Sequence, residues 1–203
     1  MGNEIAKSLN AENSCLLLVD YQARMFYGIE SHGRTEIKNS AMALAQGASI
    51  LGIPTILTTI TASLNGPFMP EIIEMFPGIT VFDRKTSTFN AFDEPEVREA
   101  VKATGRKQLA ICGLWTSMCM CLTSLEGVRS GYDMFAVVDA AGSESLDGHN
   151  TAILRMVQAG IVPCTWMQVV SEWMGSWKNP KAGDLYSKVY SRYSGYFGQK
   201  DAD

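Results

Sequence analysis

The amino-acid sequence predicts a single α/β domain with three layers, a Rossmann-like parallel sheet covered by helices on both faces. Two observations carry this. Short runs rich in branched apolar residues recur along the chain, as fully buried strands require. Between them lie longer stretches whose apolar residues repeat at helical spacing, several ended by glycine. Strands alternating with helices of this length imply βαβ units with right-handed crossovers.

Taken in order, Leu16–Asp20 reads as the first strand, and Glu36–Leu51 as a helix with Ile37, Ala41, Leu44, Ala48 and Leu51 on one face before Gly52. Thr55–Thr59 and the shorter Ile79–Phe82 follow as strands. Glu94–Thr104, with Val97, Ala100 and Val101, predicts a helix stopped by Gly105. Gln108–Cys112 is the fourth strand and leads into Met118–Ser130, where Met118, Leu122, Leu125 and Val128 recur at helical spacing. Met134–Asp139 is the fifth strand, and Asp147–Ala159, ended by Gly160, the helix after it. No repeat, low-complexity tract or linker divides the chain, so residues 1–203 are expected to form one domain. In the tail, Trp166, Val169, Val170, Trp173 and Trp177 keep helical spacing, as do Tyr186, Tyr190, Tyr193 and Phe197. Such stripes usually enter a core. Lying outside the repeating units, this aromatic segment, 165–203, is also expected at an interface between copies of the chain, where aromatics and methionine are enriched.

The 203 residues suffice for a sizeable core. With 46% apolar residues, 19% charged residues and a net charge of −4, the chain has no basic footprint for nucleic acid and no cluster for a membrane surface. No apolar run approaches the roughly 20 residues of a membrane span. The polar stretch Met1–Asn13 lacks the pattern of a secretory signal. Five cysteines without framework spacing point to free thiols and a reducing cytoplasm.

Ligands of an open parallel sheet bind beyond the carboxyl ends of its strands. That rule selects Asp20, the loop after the second strand, Arg84–Asn90, Gly113–Cys119 and Asp139–His149. In Gly113-Leu-Trp-Thr-Ser-Met-Cys119 the cysteine falls in the first turn of a predicted helix. Free backbone N–H groups and the helix dipole favour a thiolate there, lowering the pKa from about 8.5. The competing reading is a small core residue. Asp20 can exchange a proton with Cys119 as a general base and acid, or merely cap the following turn. Lys85 offers a cation that keeps a carboxylate ionised, or is a solvated loop lysine. Arg84 beside it is an equally good cation. His149 reaches the same edge, either as a pocket wall or as a locally satisfied histidine.

Several chemistries lose their support. The two histidines, His32 and His149, are far apart in the chain, and Cys119-Met-Cys121 is too tightly spaced for a zinc knuckle, so no metal is expected. No glycine-rich phosphate loop follows a strand, so no cofactor is expected, and the absence of a G-x-S-x-G elbow removes a serine triad.

Together these residues resemble the isochorismatase-like cysteine hydrolases, over nearly the whole chain. The resemblance rests on Leu-Leu-Val-Asp20-Tyr-Gln22, which looks like D-x-Q; on Lys85 ahead of Asn90-Ala-Phe92; on Gly113-Leu-Trp-Thr116-Ser-Met-Cys119, which looks like G-x-x-T-x-x-C; and on Asp139-Ala-Ala. It implies an Asp20–Lys85–Cys119 triad, a cis peptide at Leu114–Trp115, and an oxyanion hole from the N–H groups of Trp115 and Cys119. It further implies a pocket carrying Gln22, Asn90, Thr116 and His149. Asn-Gly-Pro67 and the aromatic tail resemble a bacterial subgroup of ring-stacked oligomers, which implies a homo-octamer. Departures narrow the chemistry. Nicotinamidases carry metal-binding histidines after the second strand, whereas Thr61-Ala-Ser-Leu-Asn-Gly-Pro67 has none. Trp115 and Ser117 differ from the small and acidic residues frequent in the family.

The expected function is hydrolysis of an amide or carbamoyl C–N bond in a small molecule, through a thioester on Cys119. Two other readings compete with it. One is a catalytically silent oligomer that binds a small ligand or a partner. The other is an oxidation sensor at Cys119, with Cys121 nearby on a different helical face.

Overall fold

The computed structural model describes residues 7–195. Six parallel strands form one sheet in the order β3-β2-β1-β4-β5-β6. They are β1 (Ser14–Val19), β2 (Thr55–Ile60), β3 (Val81–Arg84), β4 (Gln108–Gly113), β5 (Asp133–Val137) and β6 (Val162–Cys164). The first five match the expected strands with shifted ends. β6 has three residues and contains Pro163, and so short an edge strand leaves no periodic signal.

The helices up to residue 174 are α1 (Ala23–Tyr27), α2 (Arg34–Leu51), α3 (Ala62–Asn65), α4 (Pro70–Ile73), α5 (Pro95–Ala103), α6 (Cys121–Arg129), α7 (Leu146–Gln158) and α8 (Trp166–Met174), and the tail adds the short helices Ala182–Leu185 and Ser191–Tyr193. Successive residues of β1 point to opposite faces and so build two cores. Leu16 and Leu18 meet Ile37, Ala41 and Leu44 of α2 and Val169 and Val170 of α8. Cys15, Leu17 and Val19 meet Val97 and Val101 of α5, Leu125 of α6 and Met156 of α7. The three-layer arrangement follows from this alternation.

The tail enters the first core. Trp166, Val169, Val170, Trp173, Val189 and Tyr190 are buried, and Tyr190 Oη lies 2.9 Å from Ser171 Oγ. α8 comes so close to α2 that a Cβ on Gly47 would sit 2.7 Å from Val170 Cγ2. Trp177 and Tyr186 remain exposed, and Phe197 lies outside the described residues.

Two differences from the expected elements matter for the site. β3 runs to Arg84, two residues beyond the expected end, which brings Arg84 level with Ile60 of β2. The expected helix from Met118 begins instead as a π-helical turn, Thr116–Met120, that runs into α6. The strand order reverses between β1 and β4, the switch point at which open α/β sheets hold ligands. The two strands are drawn together there, and Leu114 N–H donates to Val19 O at 2.9 Å. A Cβ on Gly113 would lie 2.2 Å from Val19 O, so only glycine permits the approach. Gly113→Ala is accordingly expected to lower the unfolding free energy by about 2–3 kcal/mol in urea denaturation. Wild-type stability in that variant would refute the close-approach argument.

Candidate functional site

Asp20 stands at the switch point, immediately after β1. Its N–H donates to Thr58 O at 2.9 Å, which continues the ladder to β2, and Gln22 N–H turns back to Asp20 O at 2.7 Å. This reversal holds Asp20 at φ 59°, a left-handed conformation rare for a residue other than glycine. Strained backbone of this kind persists only where its surroundings over-determine it, and it clusters at functional sites. The carboxylate is shared among three side chains. The Arg84 guanidinium donates to Oδ2 in a fully buried ion pair, Thr58 Oγ1 lies 3.4 Å from Oδ1, and the Cys119 thiol is near enough for each group to shift the other's pKa.

The resemblance implied Lys85 in the cationic position, and here the structure differs. Lys85 is exposed in the turn after β3, whereas Arg84, the last residue of that strand, points inward. The register of β3 turns Arg84 inward, where its guanidinium serves two acceptors: Nη1 donates to Phe89 O at 2.8 Å while Nη2 faces Asp20. Arg84 Nε has no partner among the described residues.

The electrostatics also differ from the expected thiolate. Burial pushes the Cys119 thiol up to about 12, with the Asp20 charge acting in the same direction and Arg84 against it. A short π-helical turn in a sealed site therefore does not stabilise a free thiolate. Burial also raises Asp20, to about 6, although the Arg84 charge and the hydrogen bonds pull it down. Near neutral pH the centre thus holds a neutral thiol against an ionised carboxylate, which is the arrangement of a general base and its proton donor.

The backbone around Cys119 is pinned from the far side. The Leu114–Trp115 peptide is cis. Thr116 N–H donates to Gly142 O at 2.8 Å, and Ser117 N–H to Ser143 Oγ at 3.3 Å. Met118 N–H takes Trp115 O at 3.1 Å, while Trp115 N–H finds no acceptor among the described residues. The Trp115 ring turns away, with Nε1 donating to Met25 O at 2.8 Å and its edge against Gly28.

Four residues assigned to the pocket have other employment. Both ends of the Gln22 amide are held by backbone: Oε1 accepts from Ile60 N–H at 2.8 Å, and Nε2 donates to Gly66 O at 2.6 Å. Gln22 therefore ties the loop after β2 to β1. Asn90 accepts Phe92 N–H at 3.0 Å and donates to Asp93 at 2.8 Å, capping the turn before α5. Thr116 and His149 bind each other, Oγ1 to Nδ1, at 2.9 Å. The His149 ring packs edge-on against His32 with centroids 4.5 Å apart, so two histidines remote in the chain meet. Burial and His32 hold His149 down at about 4, which keeps the imidazole neutral. These two rings line a cavity of about 210 Å³ that does not include Cys119. Among the described residues, no group of three or more His, Cys, Asp or Glu side chains could hold a metal ion.

Thr58 escaped the sequence reading. Its only signal is a hydroxyl within the apolar run Thr55–Ile60, opposite Val19 in the β1–β2 register.

The isochorismatase domain model matches residues 14–168. The probable hydrolase YcaC of Escherichia coli is 35% identical over 176 residues, covering 86% of this chain and 84% of that protein. Isochorismatase domain-containing protein 2 of Xenopus laevis is 30% identical over 174 residues, covering 85% and 82%. The crystal structure of E. coli YcaC, described as an octameric hydrolase of unknown specificity, superposes with a TM-score of 0.91 at 34% identity over 96% of this chain and 95% of that one. YcaC from Pseudomonas aeruginosa, solved with hexane-2,5-diol and covalent acrylamide, gives 0.90 at 34% identity, over 95% and 94%.

Removing Arg84 would leave a buried carboxylate without its counter-ion. Arg84→Met is expected to cost about 3 kcal/mol or more at pH 7.5 by denaturant unfolding. The loss should shrink towards pH 5. Without the guanidinium the Asp20 pKa rises further above its unfolded value, so the native state gains a proton and stability as the pH falls. An equal loss at both pH values would overturn this account of the pair.

Proposed function

This chain belongs to the isochorismatase domain family, and within that family we propose that it is a cysteine hydrolase cleaving an amide or carbamoyl C–N bond of a small molecule. The observation that carries this reading is the buried thiol of Cys119 beside the Asp20 carboxylate, which is itself ion-paired to Arg84. A thiol held up at about 12 is a poor nucleophile until a base takes its proton, and Asp20 is ionised and in contact.

The steps balance as follows. Asp20 accepts the Cys119 proton as Sγ attacks the carbonyl carbon, and the S–C bond forms with charge on the carbonyl oxygen. The backbone N–H groups of Trp115 and Cys119 stabilise that oxyanion, each donor contributing about 3 kcal/mol. Asp20 returns its proton to the departing nitrogen as the C–N bond breaks and a thioester remains. Water then gives a proton to Asp20 and its oxygen to the acyl carbon. The second oxyanion collapses, sulfur leaves, and Asp20 reprotonates it. Arg84 keeps Asp20 oriented and charged throughout, in the role the resemblance implied for Lys85.

The covalent acrylamide of the P. aeruginosa relative supports a nucleophile that meets small neutral amides. Likewise the octameric E. coli relative supports a homo-oligomer, proposed here as an octamer. Free, buried cysteines suit a cytoplasmic protein.

A panel of amides, N-carbamoyl compounds and nicotinamide, tested with wild type and Cys119→Ala, examines the chemistry. Turnover lost by a factor of about 10³ or more in the variant is expected, and turnover that survives it would sink the cysteine mechanism. Because Asp20 must be ionised, kcat/KM should fall tenfold per pH unit below about 6 and stay level above it. A profile rising instead through about 8.5 would assign the limb to a freely titrating thiol. Lys85→Ala should keep turnover within about threefold, whereas Arg84→Met should lower it by about 10² or more.

A further inference from the structure

The proposed nucleophile is sealed. Cys119 is 1% exposed, and Asp20 and Arg84 are 0% exposed. A carbonyl carbon cannot come within bonding range of Sγ unless something moves, and the segment after β3 is weakly held.

Residues 85–90 leave β3 directly after Arg84 and curl back over its guanidinium, where Phe89 O accepts from Nη1 at 2.8 Å. Lys85, Thr86, Ser87 and Phe89 are exposed, and no side chain of 85–90 belongs to either core. A segment without core anchors lies at the low end of local stability. Its tie to the neighbouring loop is one hydroxyl pair, Ser87 Oγ to Thr61 Oγ1 at 2.6 Å. Both partners are strained, with Ser87 at φ 58° and Thr61 at φ 46°. For a β-branched residue such as threonine this is an outlier. The loop after β2 is the fixed side, because Asp83 Oδ1 accepts from both Thr59 Oγ1 and Ala62 N–H at 2.9 Å.

We propose that residues 85–90 form a lid over the Asp20–Arg84–Cys119 centre, latched by the Ser87–Thr61 hydroxyl pair, and that substrate enters when this latch parts. The lid rests on Cys119 being the reacting atom. Opening separates two strained residues and lifts Phe89 O from Arg84, while the ion pair to Asp20 stays in place. Closure returns the carbonyl to the guanidinium and excludes water from the thioester until the amine has left. The latch thus sets the size of molecule admitted, since small neutral amides pass through a narrower opening than substituted ones.

Access is measured by the rate at which iodoacetamide labels each cysteine of the native full-length protein, read peptide by peptide by mass spectrometry. Cys15 and Cys112 are internal references, because both are buried and pushed up to about 12 as Cys119 is. Ser87→Ala and Thr61→Val remove the latch, and each is expected to speed labelling of Cys119 about fivefold, the weight of one hydrogen bond. Cys15 and Cys112 should stay at wild-type rates. Thr61→Ser keeps the hydroxyl and should label as wild type does. A larger reagent, N-phenylmaleimide, should gain more from the loss of the latch than iodoacetamide. Equal Cys119 rates in wild type and both latch variants would overturn the lid, and so would a rise shared by Cys15 and Cys112, which reports general loosening. Labelling reads access alone, whereas the Cys119→Ala turnover test reads chemistry, so either idea can fail without the other.

Discussion

The site is organised by the buried ion pair between Asp20 and Arg84. Two charges withdrawn from water are expensive, and their attraction offsets that cost only when every remaining donor and acceptor is used. Apart from Arg84 Nε, the surrounding structure meets this requirement. Thr58 takes up part of the carboxylate beside the Cys119 thiol, and Phe89 O takes a second edge of the guanidinium. Asp20 accepts a left-handed backbone to face this cluster. Gly113 lets β4 close against β1 so that Cys119 reaches it.

Burial explains why the centre consists of a thiol and a base rather than a ready thiolate. Desolvation disfavours every charge, so it raises both the cysteine and the aspartate. The guanidinium offsets that effect for Asp20 enough to leave it ionised near neutral pH. A nucleophile generated only when its proton is taken suits a closed site, in which a standing thiolate would be open to oxidation and alkylation. The His149–Thr116 pair acts on the opposite side of the π-helical turn, where a neutral imidazole fastens α7 to the segment bearing Cys119.

The first five strands, the longer helices and the three loops that converge on Cys119 were legible in the sequence because they rest on periodicity and on the rule for strand ends. Asp20 and Cys119 were legible for the same reason. Lys85 against Arg84 was not, since adjacent cations look alike until the end of β3 is known, and a shift of one residue reverses the side to which a strand residue points. Gln22 and Asn90 carry the polarity of pocket residues but spend it on backbone groups, and sequence does not distinguish the two uses. Thr58 lacked any signal beyond a hydroxyl in an apolar run.

By itself, then, the sequence determined the layers, the parallel sheet and the two residues that face each other at the switch point. These follow from local periodicity and from chain order, both written along one dimension. Only the tertiary structure decided which cation pairs with Asp20, that the thiol is held neutral, and that all three groups are buried. Each of those outcomes depends on burial and on distances between groups far apart in the chain, and desolvation and Coulomb energies exist only once the chain has folded.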